Sequence, residues 1–148
     1  MSYDTIEGLW LTRLQAMSQF TSANSARGKW GIRNTGKSAQ YAILLPGEHG
    51  PREMISFNSR QNQWRTIIQL WQRYKDDGDS LIDLEQLTDA VLTSLDAYPH
   101  IGDSANTVFN AEIVNVGRFN QLPLDAPAWL YVELVGEAIE QEKITFSE

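Results

Sequence analysis

The sequence predicts one α+β domain in which a helix leads two or three strands, a second helix follows, and two strands close the chain. Three observations carry that expectation. Apolar residues recur at helical spacing in two separate stretches, near residues 4–21 and 80–98. The segments between and after those stretches alternate with the period of two that a half-buried strand requires. With 148 residues and no cysteine, the chain has the length of a single domain able to bury about 70% of its unfolded surface without a disulfide or a metal.

In the first stretch Ile6, Leu9, Trp10, Arg13, Leu14, Met17 and Phe20 share one helical face. Asp4 and Glu7 stand three apart, as in a capping box with Asp in the Ser/Thr role, and their carboxylates suit the positive end of a helix dipole. From Ser22 to Gln40 the chain is rich in Ser, Asn, Gly and bases without periodicity, which reads as a long basic loop. "YAILLPGE" is a short apolar strand closed by Pro46-Gly47, and "EMISF" is its expected hairpin partner. "WRTIIQLWQRYK" alternates: Trp64, Thr66, Ile68, Leu70 and Tyr74 share one face, while Arg65, Ile67, Gln69, Trp71 and Arg73 share the other. That second face is half polar and is expected to meet solvent or a partner. "KDDGD" makes a turn into the second helix, capped by Asp79 or Ser80, with Leu81, Leu84, Leu87, Val91, Leu95 and Tyr98 as its stripe and Pro99 as its end. "NTVFNAEIVNVG" and "AWLYVELVGEAIEQEKITF" are the closing strands, separated by the loop "RFNQLPLDAP".

The net charge of −7 conceals a division. Residues 1–75 hold ten bases against four acids, and residues 76–148 hold two against fifteen. Such asymmetry points to nucleic acid or an electrostatic partner, unless the halves intermix in the fold and cancel. The absence of cysteine excludes a disulfide framework, a thiolate metal site and a thiol nucleophile, and fits a reducing cytoplasm. The opening "MSYDTIEGLW" is not a basic segment leading into an apolar one, and no apolar run approaches the roughly 18 residues of a membrane span. The chain therefore reads as soluble and unexported.

"GIRNTGKS", Gly31 to Ser38, satisfies the pattern of a phosphate-binding loop. Such a loop works only between a buried strand and a helix N-terminus, whose N–H groups surround the phosphates. "ANSARGKW" before it is not an apolar strand, and "YAILL" after it leaves little room for a helix, so a flexible basic loop is the expectation. Arg27, Lys29, Arg33 and Lys37 surround Trp30 there, the mixture that holds single-stranded nucleic acid by charge and stacking, but one aromatic is too few for a stacking platform and the acidic remainder would oppose a polyanion. The loop is expected to engage an acidic protein surface, with a merely solvated loop as the alternative. "DDGD" at Asp76 to Asp79 lacks the ligand spacing of a calcium loop. His49 and His100 have no evident Ser or Asp partner pattern, and Glu133, Glu137, Glu140 and Glu142 fit a solvated strand edge. No catalytic, cofactor or metal residue is assigned. The expected interaction residues are Arg27, Lys29, Trp30, Arg33 and Lys37 in the loop, Arg65, Gln69, Trp71 and Arg73 on the mixed strand face, and Glu137, Glu140 and Glu142 on the terminal strand.

The amphipathic start "IEGLWLTRLQAM", the "YAILLPGE" strand with its Pro-Gly exit, the long "WRTIIQLWQRYK" leading into "LIDLEQLTDAVLTSLDAYP", and the Trp-led strand "WLYVELVGE" together resemble phage tail terminators, the family of the lambda gpU protein. The resemblance spans nearly the whole chain, in order of elements and apolar pattern. It implies an α/β sandwich with a mixed, mostly antiparallel sheet of about four to five strands flanked by two helices. It further implies a six-fold ring in the virion's tail neck, assembled in the host cytoplasm. Such a ring caps the tail tube, stops its polymerisation and meets a head-completion or neck protein, while DNA passes through without specific binding. No membrane, cofactor or catalysis is implied. A head-completion or tail-tube protein remains an alternative in the same class, and a P-loop nucleotide-binding protein a distant one. In a ring, a basic loop on one flank and an acidic strand on the other would set orientation, or an acidic lumen would repel passing DNA.

Overall fold

Ser2 begins the first helix: its backbone is extended and its Oγ accepts a hydrogen bond from Thr5 N at 3.2 Å. In the computed structural model, which describes residues 1–28, 38–56, 58–75, 79–104, 107–122 and 129–143, α1 spans Tyr3–Gln15. The cap is thus Ser2, and not the expected Asp4/Glu7 box. The helix also stops short of residue 21, because successive turns, with Met17 N to Leu14 O at 3.0 Å and Phe20 N to Met17 O at 3.4 Å, fold the chain back so that Phe20 reaches the core without a helix beneath it.

Two fifteen-residue strands form the centre of the sheet. β4 (Ser59–Arg73) and β7 (Trp129–Lys143) run antiparallel in unbroken register, from Ser59 opposite Lys143 to Arg73 opposite Trp129. The other edge of β4 is lined end to end by β2 (Gln40–Pro46) and β3 (Arg52–Ser56), both antiparallel to it. The other edge of β7 is lined by β5 (Val108–Val116) and β6 (Asn120–Leu122) in the same manner. β1 (Ser25–Arg27) adds to β2 in parallel. The result is a mixed, mostly antiparallel open sheet with seven strands among the described residues, where four to five were expected.

Glycines explain the interrupted flanking strands. Between β2 and β3, Gly47 N donates to Arg65 O and Gly50 N to Gln63 O, each at 2.9 Å, so the chain keeps hugging β4 through its kink. A Cβ on Gly47 would stand 2.9 Å from the Arg65 carbonyl group, and one on Gly50 would stand 2.7 Å from Gln63 Cβ. The described part of "EMISF", up to Ser56, therefore continues the line of "YAILLP" along β4 instead of turning back on it, which corrects the expected hairpin. The parts of the 22–40 and 118–127 loops that hold β1 and β6 are likewise short strands. Their few residues are too brief for periodicity to register.

α2 (Ser80–Asp96) follows with Asp79, one of the two expected caps, at its N-cap position but without a side-chain cap hydrogen bond. Of the expected stripe, Leu81 and Tyr98 are exposed, whereas Leu84, Leu87, Val91 and Leu95 are buried. These residues join Ile6, Trp10 and Leu14 of α1 on one face of the sheet, against Ala42, Leu44, Trp64, Ile68, Leu70, Val132, Leu134 and Ala138. Gly136 belongs to this face, where an added Cβ would stand 2.9 Å from Cζ2 of the fully buried Trp10. Both helices thus cover the same side. Opposite them lies a smaller apolar cluster of Tyr41, Ile43, Trp71 and Trp129, with Leu45 and Tyr131 against it.

Candidate functional site

The face of the sheet away from the helices collects most of the expected strand residues, because β4 and β7 present every second side chain there in facing pairs. Reading along the strands, Arg73 faces Trp129, Trp71 faces Tyr131, Gln69 faces Glu133, Ile67 faces Val135 and Arg65 faces Glu137. The Arg73 guanidinium lies 5.4 Å from the Trp129 ring centre. Trp71 and Tyr131 stack with centroids 4.6 Å apart and planes 24° from parallel. Gln69 Nε2 donates to Glu133 Oε2 at 3.4 Å, and Trp71 Nε1 donates to Gln69 Oε1 at 3.3 Å. Arg65 Nε donates to Glu137 Oε2 at 3.1 Å. Ile67, Val135 and Val114 floor a shallow groove of about 620 Å³ beside that ion pair.

This face is drier than the sequence implies. Trp71 is 3% exposed and Gln69 4%, so the stretch read as meeting solvent or a partner is largely closed within the chain at its Trp71 end. The aromatic partners Tyr131 and Trp129 lie on β7, a strand whose pairing with β4 bridges almost sixty residues of sequence and leaves no local signal.

The three terminal acids separate. Glu137 is on the open face; Glu140 points to the helix side, where it is 3% exposed. Glu140 Oε1 accepts from Asn62 Nδ2 at 3.0 Å and from Trp64 Nε1 at 3.1 Å, and its Oε2 stands 3.2 Å from the Met1 amino group. Glu142 accepts from the same Asn62 amide at 2.8 Å. That hydrogen bond, with the nearby positive charges of the Met1 amine, Arg60 and Arg52, holds the Glu142 carboxyl below its ordinary value against a smaller opposing effect of burial. Asn62, the residue that organises both acids, carried no sequence signal; a lone amide in a polar stretch looks like surface.

Arg27, first of the expected loop bases, lies in β1 and is held from α1: Nη1 is 2.7 Å from Asp4 Oδ1 and Nη2 3.3 Å from Glu7 Oε2. The Asp4 hydrogen bond leads in raising its affinity for the proton. Lys29, Trp30, Arg33 and Lys37 fall outside the described residues, as do Gly31 to Gly36. The segment that follows Ser38 is the strand β2, where a phosphate loop needs a helix. β1 precedes it, a three-residue strand the sequence reading did not anticipate.

Both histidines are tied to carbonyls, His49 Nδ1 to Gly50 O at 2.7 Å and His100 Nδ1 to Val108 O at 2.8 Å; each Nδ1 is therefore the donor. Among the described residues no group of three or more His, Cys, Asp or Glu is placed to hold a metal ion. No described helix is long and apolar enough to cross a membrane.

No protein-family model matches the chain, and no curated protein matches it. A solved structure is similar along the full length: 15% of residues are identical, 100% of this chain and 99% of that one are covered, and the TM-score is 0.45.

Proposed function

We propose that the protein is a structural subunit of a phage tail, a terminator that assembles as a six-fold ring in the neck, caps the tail tube, stops its growth and meets a head-side neck protein. The reading rests on the resemblance in element order. The observation that carries it in three dimensions is the sheet itself, built on two fifteen-residue strands, with both described helices on one face and paired charged and aromatic side chains on the other. A sheet face clear of described helices can offer the same patch to each identical neighbour in a closed ring. In a ring each modest contact recurs about six times, so contacts weak alone hold firmly together. DNA passes the opening without specific binding, and the role needs no cofactor or catalytic step.

Capping and elongation compete for the same tube end. Infection without the protein is expected to yield tails of uncontrolled, excessive length that fail to join filled heads, and early resupply restores uniform length, as read by electron microscopy. Tails of normal length beside unattached heads would assign the protein to the head side of the joint instead.

A further inference from the structure

The groove beside the Arg65–Glu137 pair is apolar at its floor and acidic around it. Ile67, Val135 and Val114 form the floor of its 620 Å³, and Val114 remains 46% exposed. The exposed Glu48 stands at its rim with Glu137. The exposed Glu112 faces Glu137 across β5 and β7, and Glu133 lies two positions before Val135 on the same face. Against these four carboxylates, Arg65 is the one cation among the described lining residues, and it is already bonded to Glu137. β5 bulges between Ile113 and Asn115 beside the groove, which disrupts its ladder there and leaves side chains, rather than a regular strand edge, to meet a partner.

Such a groove fits a large apolar side chain flanked by bases and free of acids. The chain carries a segment of that chemistry. "KWGIRNTGK", residues 29–37, sets Trp30 and Ile32 among Lys29, Arg33 and Lys37, within a stretch that has no acid between Glu7 and Glu48. The ends of the segment select the copy it can serve. Gly28 N donates to Leu44 O at 2.8 Å and Ser38 N donates to the Tyr41 hydroxyl at 3.3 Å, so both tethers are at β1 and β2. The sheet runs β1, β2, β4, β7, β5, which puts the β5 wall of the groove four strand spacings from β1, about 19 Å. Ser38 also precedes Leu44 by six residues, about 20 Å along the strand direction. A path from Gly28 out to β5 and back to Ser38 therefore exceeds about 40 Å, whereas the ten Cα steps between them reach at most about 36 Å. The segment is too short to lie along the β5 wall of its own groove. A neighbour whose β1 edge stands beside β5 can lay it there.

We propose that the 29–37 segment of one copy seats Trp30 in the groove of the next, with Lys29 and Arg33 against Glu48 and Glu112. The proposal rests on the ring reading above and names the contact that joins its subunits. Donor and acceptor surfaces lie toward opposite sides of the sheet, so the contact is heterologous and can repeat around a closed ring. The opposed charges set orientation and encounter, and burial of the indole holds the contact.

The chain has no cysteine, so introduced ones are its only thiols. Asn34 lies in the segment, and the exposed Asn115 lines the groove. The purified full chain is made as Asn34→Cys, as Asn115→Cys and as both, treated with a flexible bismaleimide, and read on a denaturing gel. The double variant is expected to give a ladder reaching three copies and beyond. The two single variants mixed give dimers, and each alone stays monomeric. Trp30→Ser placed in the double variant abolishes the ladder. Glu48→Lys with Glu112→Lys also abolishes it, and adding Lys29→Glu with Arg33→Glu restores it; circular dichroism checks that each variant folds. Dimers from Asn34→Cys alone or from Asn115→Cys alone would overturn the proposal in favour of a two-fold contact. A double variant that cross-links only within itself, at a yield independent of concentration, would overturn it in favour of the chain's own segment. A double variant that does not cross-link would overturn it as well. If wild type still sediments as a ring in that case, only the segment contact is wrong; if it remains monomeric at high concentration, the ring reading falls with it.

Discussion

Gly136 shows how one missing side chain can fit a helix to a sheet. Its Cα lies under the Trp10 ring, and a Cβ would meet ring atoms at 2.9, 3.1 and 3.2 Å. Trp10 is fully buried and cannot swing away, so Gly136→Ala is expected to destabilise the fold by about 1–3 kcal/mol, the usual cost of overpacking. Urea denaturation measures this, and a smaller ring site such as Trp10→Leu should make the same Ala substitution much less costly in a double-mutant cycle. Asn62 is the second single-residue determinant, since one amide serves both Glu140 and Glu142. A carboxyl whose folded value is depressed binds its proton less readily than in the unfolded chain. Its contribution is therefore fully present above the ordinary value of 4.5 and is lost as pH falls through the lower folded value. Carbon-detected titration of Glu142 should give a midpoint below 4.5. In Asn62→Ala the midpoint should rise, and stability should fall by about 2 kcal/mol at neutral pH because charge-assisted hydrogen bonds are lost. An unmoved midpoint would show that the surrounding charges, and not the amide, set the value.

Among elements, β1 matters beyond its three residues. Arg27 ties it to α1 through Asp4 and Glu7, and Gly28 N and Ala42 N bond across to Leu44 O and Asn24 O at 2.8 and 2.9 Å. Asn24, itself buried, donates from Nδ2 to Gln19 O and Gln40 O and accepts from Thr21 N. Glu7 is 6% exposed, so Arg27→Ala leaves a buried carboxylate without its cation. A loss of about 1–3 kcal/mol is expected from the stranded group, and Glu7→Gln in the same chain should recover part of it in thermal melts. Arg27 consequently belongs to the folding framework, while Lys29, Arg33 and Lys37 are the bases to replace with Ser when testing contact with an acidic partner. That triple variant should keep the wild-type melting temperature. Equal assembly of triple variant and wild type at low and high salt would reduce the segment to a connector.

Across the whole molecule, two apolar clusters lie on opposite faces of one sheet and share its central strands. Trp64 and Trp10 belong to the helix-side core, and Trp71 and Trp129 to the other cluster. Neither cluster can lose β4 or β7 without the other losing it too. Tryptophan fluorescence and far-ultraviolet circular dichroism should therefore trace one coincident transition in denaturant. Removing the fluorescence of the smaller cluster with Trp71→Phe and Trp129→Phe should leave the remaining signal and the dichroism still superimposed. Two separated transitions would mean that the smaller cluster opens on its own.

Local pattern was sufficient for much of this. The 3-4 spacing from Ile6 to Leu14 and from Leu84 to Leu95 marks both helices, and alternation marks the long strands, because those periods follow from backbone geometry and the burial of one face. The helix-side burial of Trp64, Thr66, Ile68 and Leu70 was legible for the same reason. Partnership between distant segments was not. Facing Arg65 with Glu137, stacking Trp71 on Tyr131, turning Glu140 inward and continuing β2 into β3 along β4 all depend on which strand lies beside which and in what register. No residue encodes its neighbour across sixty positions; that choice is made by the collective packing of two helices on one face of the sheet, and only the tertiary structure decides it.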